Sequence, residues 1–390
     1  MMLGLPTQLV TDLTCAGTPF QMGIVQGQAL REKIQGSIQT LANLEAVRLM
    51  KPRFLPFGWF WRLAAFKSER FLQRAFAASP LWIEQRLRGI AEGSGVPFRS
   101  LAICSAMEAA LSDLGPITTI AAIAGCSAMA VSRSASRDGR PMLAHNFDYI
   151  PITQPYYFIR RSKPAGKLNS VEFSVAPLAG TISGINEAGL CITCNYAYAT
   201  DKGGAAPTIT MLIADALARF RSVDQAVDFF SKSPRVGGGL LMLGDPSGTI
   251  ASLEISSTRV ERRDPAVGHD RLFHTNRYCC AAMSAIEVDD RAVHGTKSPR
   301  PLRGRRVHQS AEARSALFRE LIDSEDQFDR ASIQKVMSSH GLSHLPSSGT
   351  ICMHSDYWHT TASLQLFPSE RLLRVSFSPT CVAEYRDFTV

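Results

Sequence analysis

Between Phe20 and Glu45, apolar side chains recur at three- and four-residue spacing, the period of a helix with one buried face. Thr18 stands where an N-cap belongs, and Pro19 where a first helical turn accepts proline. A second helical stretch runs from about 60 to 93 and closes at Gly93-Ser94-Gly95, ahead of Val96-Pro97. Between them, the aromatic-rich run RFLPFGWFWRLAAF (53–66) reads first as core packing, with a lid or a membrane-touching patch as the other readings. The first 120 residues are therefore expected to be mainly helical.

From Cys126 the period shortens. CSAMAVS, PMLAHNFDY, YYFIRR and SVEFSVA are short β-prone segments separated by Asp-Gly, Pro and Gly, the rhythm of an antiparallel sheet. GTISGINEAGLCITCNY continues it as a hairpin, with Asn186 as a turn residue. PTITMLIADALARF and SVDQAVDFFSKS predict two amphipathic helices, and GGLLMLGDPSGTIASLEIS predicts further strands. Helices return near 311–323 and 331–340, and the strands ICMH, TTASLQLF and LLRVSFS close the chain. With no linker and no repeat, this order predicts one α+β unit over residues 1–390.

Composition narrows the class. Of 390 residues, 45% are hydrophobic and 19% charged, which supports a sizeable core and excludes disordered or fibrous architectures. The opening MMLGLPTQLVTDLTC lacks a basic segment followed by an apolar one, so no secretory signal is expected. The most apolar stretch, from about Ile117 to Val131, is short of the roughly 20 residues a membrane span needs. A cytoplasmic protein with no membrane span follows as the expectation. The charge of +8 gathers most visibly at Lys297, Arg300, Arg303, Arg305 and Arg306. No aromatic residues interleave with these, so a solvated loop is expected and no nucleic-acid partner. The other reading of that loop is contact with an anionic substrate such as a coenzyme A phosphate. Nine cysteines are irregularly spaced, and the one CxxC, Cys191–Cys194, lies in an apolar strand without a second pair; no metal site is expected. The adjacent Cys279 and Cys280 read as ordinary thiols.

Cys126 carries the candidate chemistry. It follows Gly125, which has no side chain to shield its carbonyl from attack. If the Cys126 thiol attacked that carbonyl, an N-to-S acyl shift and hydrolysis would free Cys126 as a new N-terminus. Its α-amine, with an ordinary pKa of about 7.7–8.0, can serve as general base for its own thiol. A Gly-Cys pair alone does not distinguish this from a buried structural cysteine.

The ordered segments around it do more. GTPFQMGIVQG (17–27), GIAEGSGVP (89–97), GCSAM (125–129), GRPMLAHNFDY (139–149), GINEAGLCITCN (184–195), HTN (274–276) and TICMH (350–354) together resemble the isopenicillin N acyltransferase family (acyl-coenzyme A:6-aminopenicillanic acid acyltransferase). These are autoproteolytic N-terminal nucleophile hydrolases, and the resemblance covers nearly the whole chain. It implies an αββα sandwich, two antiparallel sheets between helical layers. It also implies self-cleavage at Gly125–Cys126, giving a mainly helical segment 1–125 and a catalytic segment 126–390. Cys126 is then the nucleophile, forming a thioester that passes its acyl group to water or to an amine.

The resemblance assigns further roles. Asp148 is expected to hold the new α-ammonium, and Asn276 and Asn195 to lie near the oxyanion. Arg314 is expected to steady the site, with Arg303, Arg305, Arg306 and Arg319 as neighbours in sequence. His145 and Asn146 are placed with the substrate-binding residues, Asn146 also as a support of the hairpin backbone. Related chains often carry Arg or another long polar residue where this one has His145, whose imidazole titrates near neutrality and so bears on substrate orientation and pH dependence. The expected partners are a small amide or acyl thioester and the chain's own cleaved N-terminal segment, and oligomerisation stays open. No cofactor is expected; coenzyme A enters only as part of an acyl-donor substrate. Phe54, Phe57, Trp59 and Trp61 suit an aromatic or fatty acyl group. Two other readings remain: an intact-chain thiol hydrolase pairing Cys126 or Cys352 with His274 or His354, and an unprocessed binding protein without catalysis.

Overall fold

The computed structural model describes residues 11–79, 82–107, 109 and 125–390. Expectations that fall on residues 1–10 and 117–124 lie outside the described residues. Fourteen strands are described: β1 (Asp12–Gly17), β2 (Ser127–Val131), β3 (Met142–Tyr149), β4 (Tyr157–Pro164), β5 (Ser170–Val175), β6 (Ser183–Asn186) and β7 (Cys191–Tyr196), then β8 (Gly239–Gly244), β9 (Ile250–Ile255), β10 (Val260–Arg263), β11 (Arg271–His274), β12 (His359–Phe367), β13 (Leu372–Ser376) and β14 (Arg386–Thr389). One sheet has eight strands in the order β1-β4-β5-β6-β7-β8-β9-β10, and the other six in the order β11-β2-β3-β12-β13-β14. Every pairing is antiparallel except β1 with β4.

Side-chain alternation explains the layers. In β3, Leu143 and Phe147 face the other sheet and meet Ile159, Val171 and Phe173, while Met142 and Ala144 face outward onto Phe318 and Ile333. On the far side of the eight-stranded sheet, Phe158 packs with Leu30, Leu72 and Leu87, and Leu241 and Leu253 pack with Leu212 and Phe230. The molecule is an α+β sandwich with two antiparallel-rich sheets between helical layers.

The N-terminal helices are α1 (Pro19–Ala29), α2 (Arg31–Asn43), α3 (Glu45–Met50), α4 (Phe57–Ala78), α5 (Ile83–Ser94) and α6 (Phe98–Ser105). Thr18 caps α1, as the sequence predicts, and with Gln21 it closes a capping box. The glycines of the first two marker segments are a packing device. A Cβ on Gly23 or Gly27 of α1, or on Gly89 or Gly93 of α5, would strike backbone atoms of the other helix. The two helices approach closely only because all four positions lack one.

Buried charge ties these helices to the sheet. Arg160 and Glu172, cross-strand partners on β4 and β5, form an ion pair out of water, with Arg160 Nε donating to Glu172 Oε2 at 2.9 Å. Arg160 also donates to Gln26 of α1 at 3.2 Å. Burial alone would raise the Glu172 pKa, but Arg160, Arg86 and the hydroxyls of Ser170 and Thr181 hold it down to about 2.

The structure corrects several expectations. The 20–45 helix breaks at Leu30, and the 60–93 stretch is two helices. The first segment is mainly helical where it is described, with one addition: β1 crosses to pair with β4 at the sheet edge. ICMH is irregular rather than a strand. The 53–66 run is not core: Phe54 is 88% exposed and Trp59 64%. The buried face of α4 begins later, with Ala65, Leu72, Ala75 and Phe76. The 300–306 arginines are mostly engaged by the protein's own carboxylates, Arg303 with Glu45, Arg305 with Asp356 and Arg306 with Glu312. No helix among the described residues is long and apolar enough to cross a membrane.

Candidate active site

Cys126 immediately precedes β2, and the antiparallel pairing of β2 with β3 sets its surroundings. Ser127 faces Asn146 across the ladder, and the Gly125 amide donates to the Asp148 carbonyl at 3.1 Å. Alternation then divides the junction between two faces. The Cys126 side chain belongs to the inter-sheet core, whereas Ser127 turns toward the helix Gln309–Asp323.

That helix supplies Arg314, which is fully buried. One guanidinium nitrogen donates to the Cys126 carbonyl at 2.5 Å and to Ser127 Oγ at 2.9 Å. The other donates to Asn276 Oδ1 at 2.7 Å, and Nε to Ser310 Oγ at 3.2 Å. Asp148 Oδ2 lies 4.0 Å from the guanidinium, while Oδ1 accepts from Thr360 Oγ1 at 2.6 Å. Thr360 stands opposite Asp148 on β12, beside a register shift, and its hydroxyl also accepts from the Met353 amide. Among the described residues, Asp148 Oδ2 has no hydrogen-bond partner although it is buried.

Burial decides the charges. It raises the Asp148 pKa to about 8, against the opposing pull of Arg314 and Thr360. The ion pair is weak for a buried one, because at 4.0 Å the guanidinium is already shared among closer acceptors. The Cys126 thiol is pushed well above its ordinary range, first by burial and then by Asp148. The backbone amides of Asp148 and Tyr196, with Arg314, favour its ionised form but do not offset this. Burial therefore favours the protonated thiol.

The two asparagines brace each other's loops. Asn195, in β7, donates to the carbonyl of Thr275, and Asn276 donates to that of Tyr196, both at 2.8 Å. Asn276 thereby joins Arg314 at the junction; Asn195 Oδ1 is buried without a partner among the described residues.

Two expected site residues stand apart. His145 points between the sheets, its Nδ1 against Ser183 Oγ at 2.9 Å, and burial lowers its pKa to about 3. It is neutral across the physiological range, so the expectation of titration near neutrality is corrected. Asn146 faces the helical side, donating to the carbonyls of Met337 and Ile351 and accepting from Thr380. It supports backbone, and neither residue lines the cavity described next.

Cys126 opens on a cavity of about 200 Å³. Phe147, Tyr149, Val175 and Tyr196 form the sheet side, and Leu41 of α2 and Met107 close the other. This apolar wall from the N-terminal segment had no signal in the sequence beyond helical periodicity. Phe54, Phe57, Trp59 and Trp61 are not part of it.

Neither CxxC nor His274 forms a second centre. Cys191 packs in the inter-sheet core and Cys194 against the helical one, as a three-residue step along a strand requires. His274 Nδ1 meets Ser252 Oγ at 2.9 Å, and burial pushes its pKa well down. Cys352 Sγ does lie 3.5 Å from His354 Nε2, but this pair does not line the cavity. Among the described residues, two groups have metal-ligating atoms within 4.8 Å of one another: His340, Cys352, His354 and Cys381, and Glu287, Asp290 and His308. The second is neutralised internally, since Arg277 pairs with both its carboxylates.

Residues 135–346 match the family model described as acyl-coenzyme A:6-aminopenicillanic acid acyl-transferase, and the chain belongs to that family. No curated protein gives a significant match. Among solved structures, an N-acylethanolamine-hydrolyzing acid amidase ortholog of Caenorhabditis elegans aligns at 13% identity and TM-score 0.43, over 63% of this chain and 93% of that one. Penicillin V acylase from Agrobacterium tumefaciens aligns at 14% identity and TM-score 0.39, over 68% and 86%. A mutant of conjugated bile acid hydrolase from Clostridium perfringens aligns at 12% identity and TM-score 0.38, over 68% and 97%. The family assignment rests on the sequence-family match alone.

Proposed function

We propose that this chain is an autoprocessed cysteine amidohydrolase or acyltransferase that cuts itself between Gly125 and Cys126. The observation that carries this reading is the division at the junction: the Cys126 side chain meets an apolar cavity, while Arg314 holds the Cys126 carbonyl and the Asp148 carbonyl of β3 holds the Gly125 amide. In processing, Sγ attacks the Gly125 carbonyl carbon, the Gly125–Cys126 C–N bond breaks, and the nitrogen leaves as the Cys126 α-amine carrying the thiol proton. Water then hydrolyses the thioester, freeing the Gly125 carboxylate and the thiol.

The new amine lies beside Asp148, whose Oδ2 is buried without a hydrogen-bond partner among the described residues. An α-ammonium there pairs with the carboxylate and reverses the charge balance around Sγ. In turnover the amine takes the thiol proton and Sγ attacks the substrate carbonyl. The tetrahedral oxyanion is stabilised by neutral and cationic donors near Asn276, Asn195 and Arg314. The amine returns its proton to the leaving nitrogen or sulfur, and water or an amine resolves the thioester. An apolar acyl group suits the cavity, and no cofactor is called on. Segment 1–125 stays with segment 126–390 and walls the pocket through Leu41.

The experiment is to incubate purified protein with a panel of aromatic and aliphatic amides and thioesters, quench with acid, and weigh the fragment starting at Cys126. A mass increment equal to the acyl group, absent in Cys126→Ala, is the expected result. Turnover that persists in Cys126→Ala rejects the nucleophile. The intact-chain alternative has one observation in its favour, the Cys352–His354 approach. It predicts a full-length active chain whose acyl adduct maps to Cys352.

A further inference from the structure

Four soft or borderline donors converge at the C-terminal side of the six-stranded sheet. His340 follows the helix Arg330–Met337, Cys352 and His354 come from the irregular segment before β12, and Cys381 sits in the short turn Thr380–Val382. One ligating atom from each lies within 4.8 Å of all the others. His354 Nε2 is 3.5 Å from the sulfur of Cys352 and 3.5 Å from that of Cys381.

Those separations have a geometric meaning. Around a tetrahedral zinc ion, with Zn–S about 2.3 Å and Zn–N about 2.0–2.1 Å, a sulfur and a nitrogen lie about 3.6 Å apart. The two S···N edges are already at that length, and small side-chain rotations bring in the remaining donor. A second feature argues for a ligand sphere rather than two adjacent thiols. His340 Nε2 is buried and has no hydrogen-bond partner among the described residues, while its ring stands 5.3 Å from that of His354.

We infer that His340, Cys352, His354 and Cys381 form a tetrahedral Cys2His2 site for a thiophilic divalent cation, zinc by its ligand chemistry. Two thiolates and two neutral imidazoles balance a divalent charge, and soft sulfur with imidazole disfavours magnesium or calcium. Four protein ligands leave no open position, so the site is structural rather than catalytic. On binding, the ion takes the place of two thiol protons, which are released to solvent.

The position gives the site a role. Asn146 of β3 donates to the carbonyl of Ile351, one residue before Cys352, and accepts from Thr380, one residue before Cys381. Met353, between Cys352 and His354, donates its amide to the Thr360 hydroxyl that holds Asp148. A metal cross-link would fasten three separate segments behind the strand that carries Asp148. It acts on the stability of that strand's support and takes no part in acyl transfer, so the inference does not depend on the Cys126 assignment, and it excludes the Cys352–His354 pair as a nucleophile.

The test uses the full chain, purified after removal of any affinity tag. Elemental analysis by plasma mass spectrometry is expected to find about one zinc per chain. Cobalt replacement is expected to give thiolate-to-cobalt charge-transfer absorption, and chelation is expected to lower Tm, restored by zinc. Cys352→Ser and Cys381→Ser lose the metal, whereas Cys126→Ala and the Cys191→Ser/Cys194→Ser pair keep it. Should the ligand variants fail to fold, native mass spectrometry of the unmodified chain with and without chelator gives the same answer. The inference is overturned if the chain carries no zinc and added zinc leaves Tm unchanged. A Cys352–Cys381 disulfide found by non-reducing peptide mapping of metal-free native protein overturns it equally.

Discussion

Asp148 is the residue whose environment speaks most directly to mechanism. Its carboxyl is buried, and its ordinary pKa of 3.8 is raised to about 8 despite Arg314. A group raised on folding contributes stability that is complete below its unfolded pKa and is lost as pH rises through the folded one. In an uncut Cys126→Ala background, the chain with Asp148 should therefore lose stability relative to Asp148→Asn between about pH 4 and pH 8, by as much as a few kcal/mol. Urea unfolding across that range measures it. A stability difference that does not vary with pH contradicts the burial of an uncompensated acid. His145 has a window of the opposite sign: with its pKa lowered from 6.5 to about 3, the folded chain loses stability as pH falls through that range, equally in both chains of this comparison. At this scale the sequence was informative about residue type but not about direction. The family resemblance gave Asp148 a role beside Cys126, yet nothing in HNFD says which side chains point between the sheets and which face Arg314. Arg314 itself was one of several neighbouring arginines until the helix placed it inside and its neighbours outside.

At the scale of elements, the α1–α5 contact is the most demanding. Gly89→Val puts a branched side chain where backbone of Phe20, Gly23 and Ile24 already lies. The helices must separate, and the expected cost is about 3 kcal/mol or more, read as a lower midpoint in denaturant. Gly58→Ala, which meets nothing within 4 Å, is the control and should be near neutral or slightly stabilising. If Gly89→Val matches wild type, the interlocking reading of the two marker segments fails. The sequence made most strands legible because their apolar runs are long and bounded by turns. It hid β1, whose partner β4 lies far along the chain, and the short polar strands β10 and β14, which carry little hydrophobic signal. The His340, Cys352, His354 and Cys381 cluster was equally silent. Its members come from three separated segments, and no fixed spacing connects them.

For the whole molecule, the N-terminal segment is woven into the rest. β1 completes the eight-stranded sheet, Gln26 and Arg86 join the buried Arg160–Glu172 network, and α2 walls the cavity. After cutting, segments 1–125 and 126–390 should elute as one species on size exclusion and separate only in denaturant. Dissociation in native buffer, with activity kept by 126–390 alone, contradicts the shared wall. The family assignment sets the reaction class, and the geometry at Gly125–Cys126 makes the central claim specific. Intact-mass measurement of the purified chain tests that claim most directly. The account predicts two polypeptides ending at Gly125 and beginning at Cys126, with Cys126→Ala remaining a single uncut chain. A catalytically active wild-type preparation consisting only of the full-length chain would contradict it.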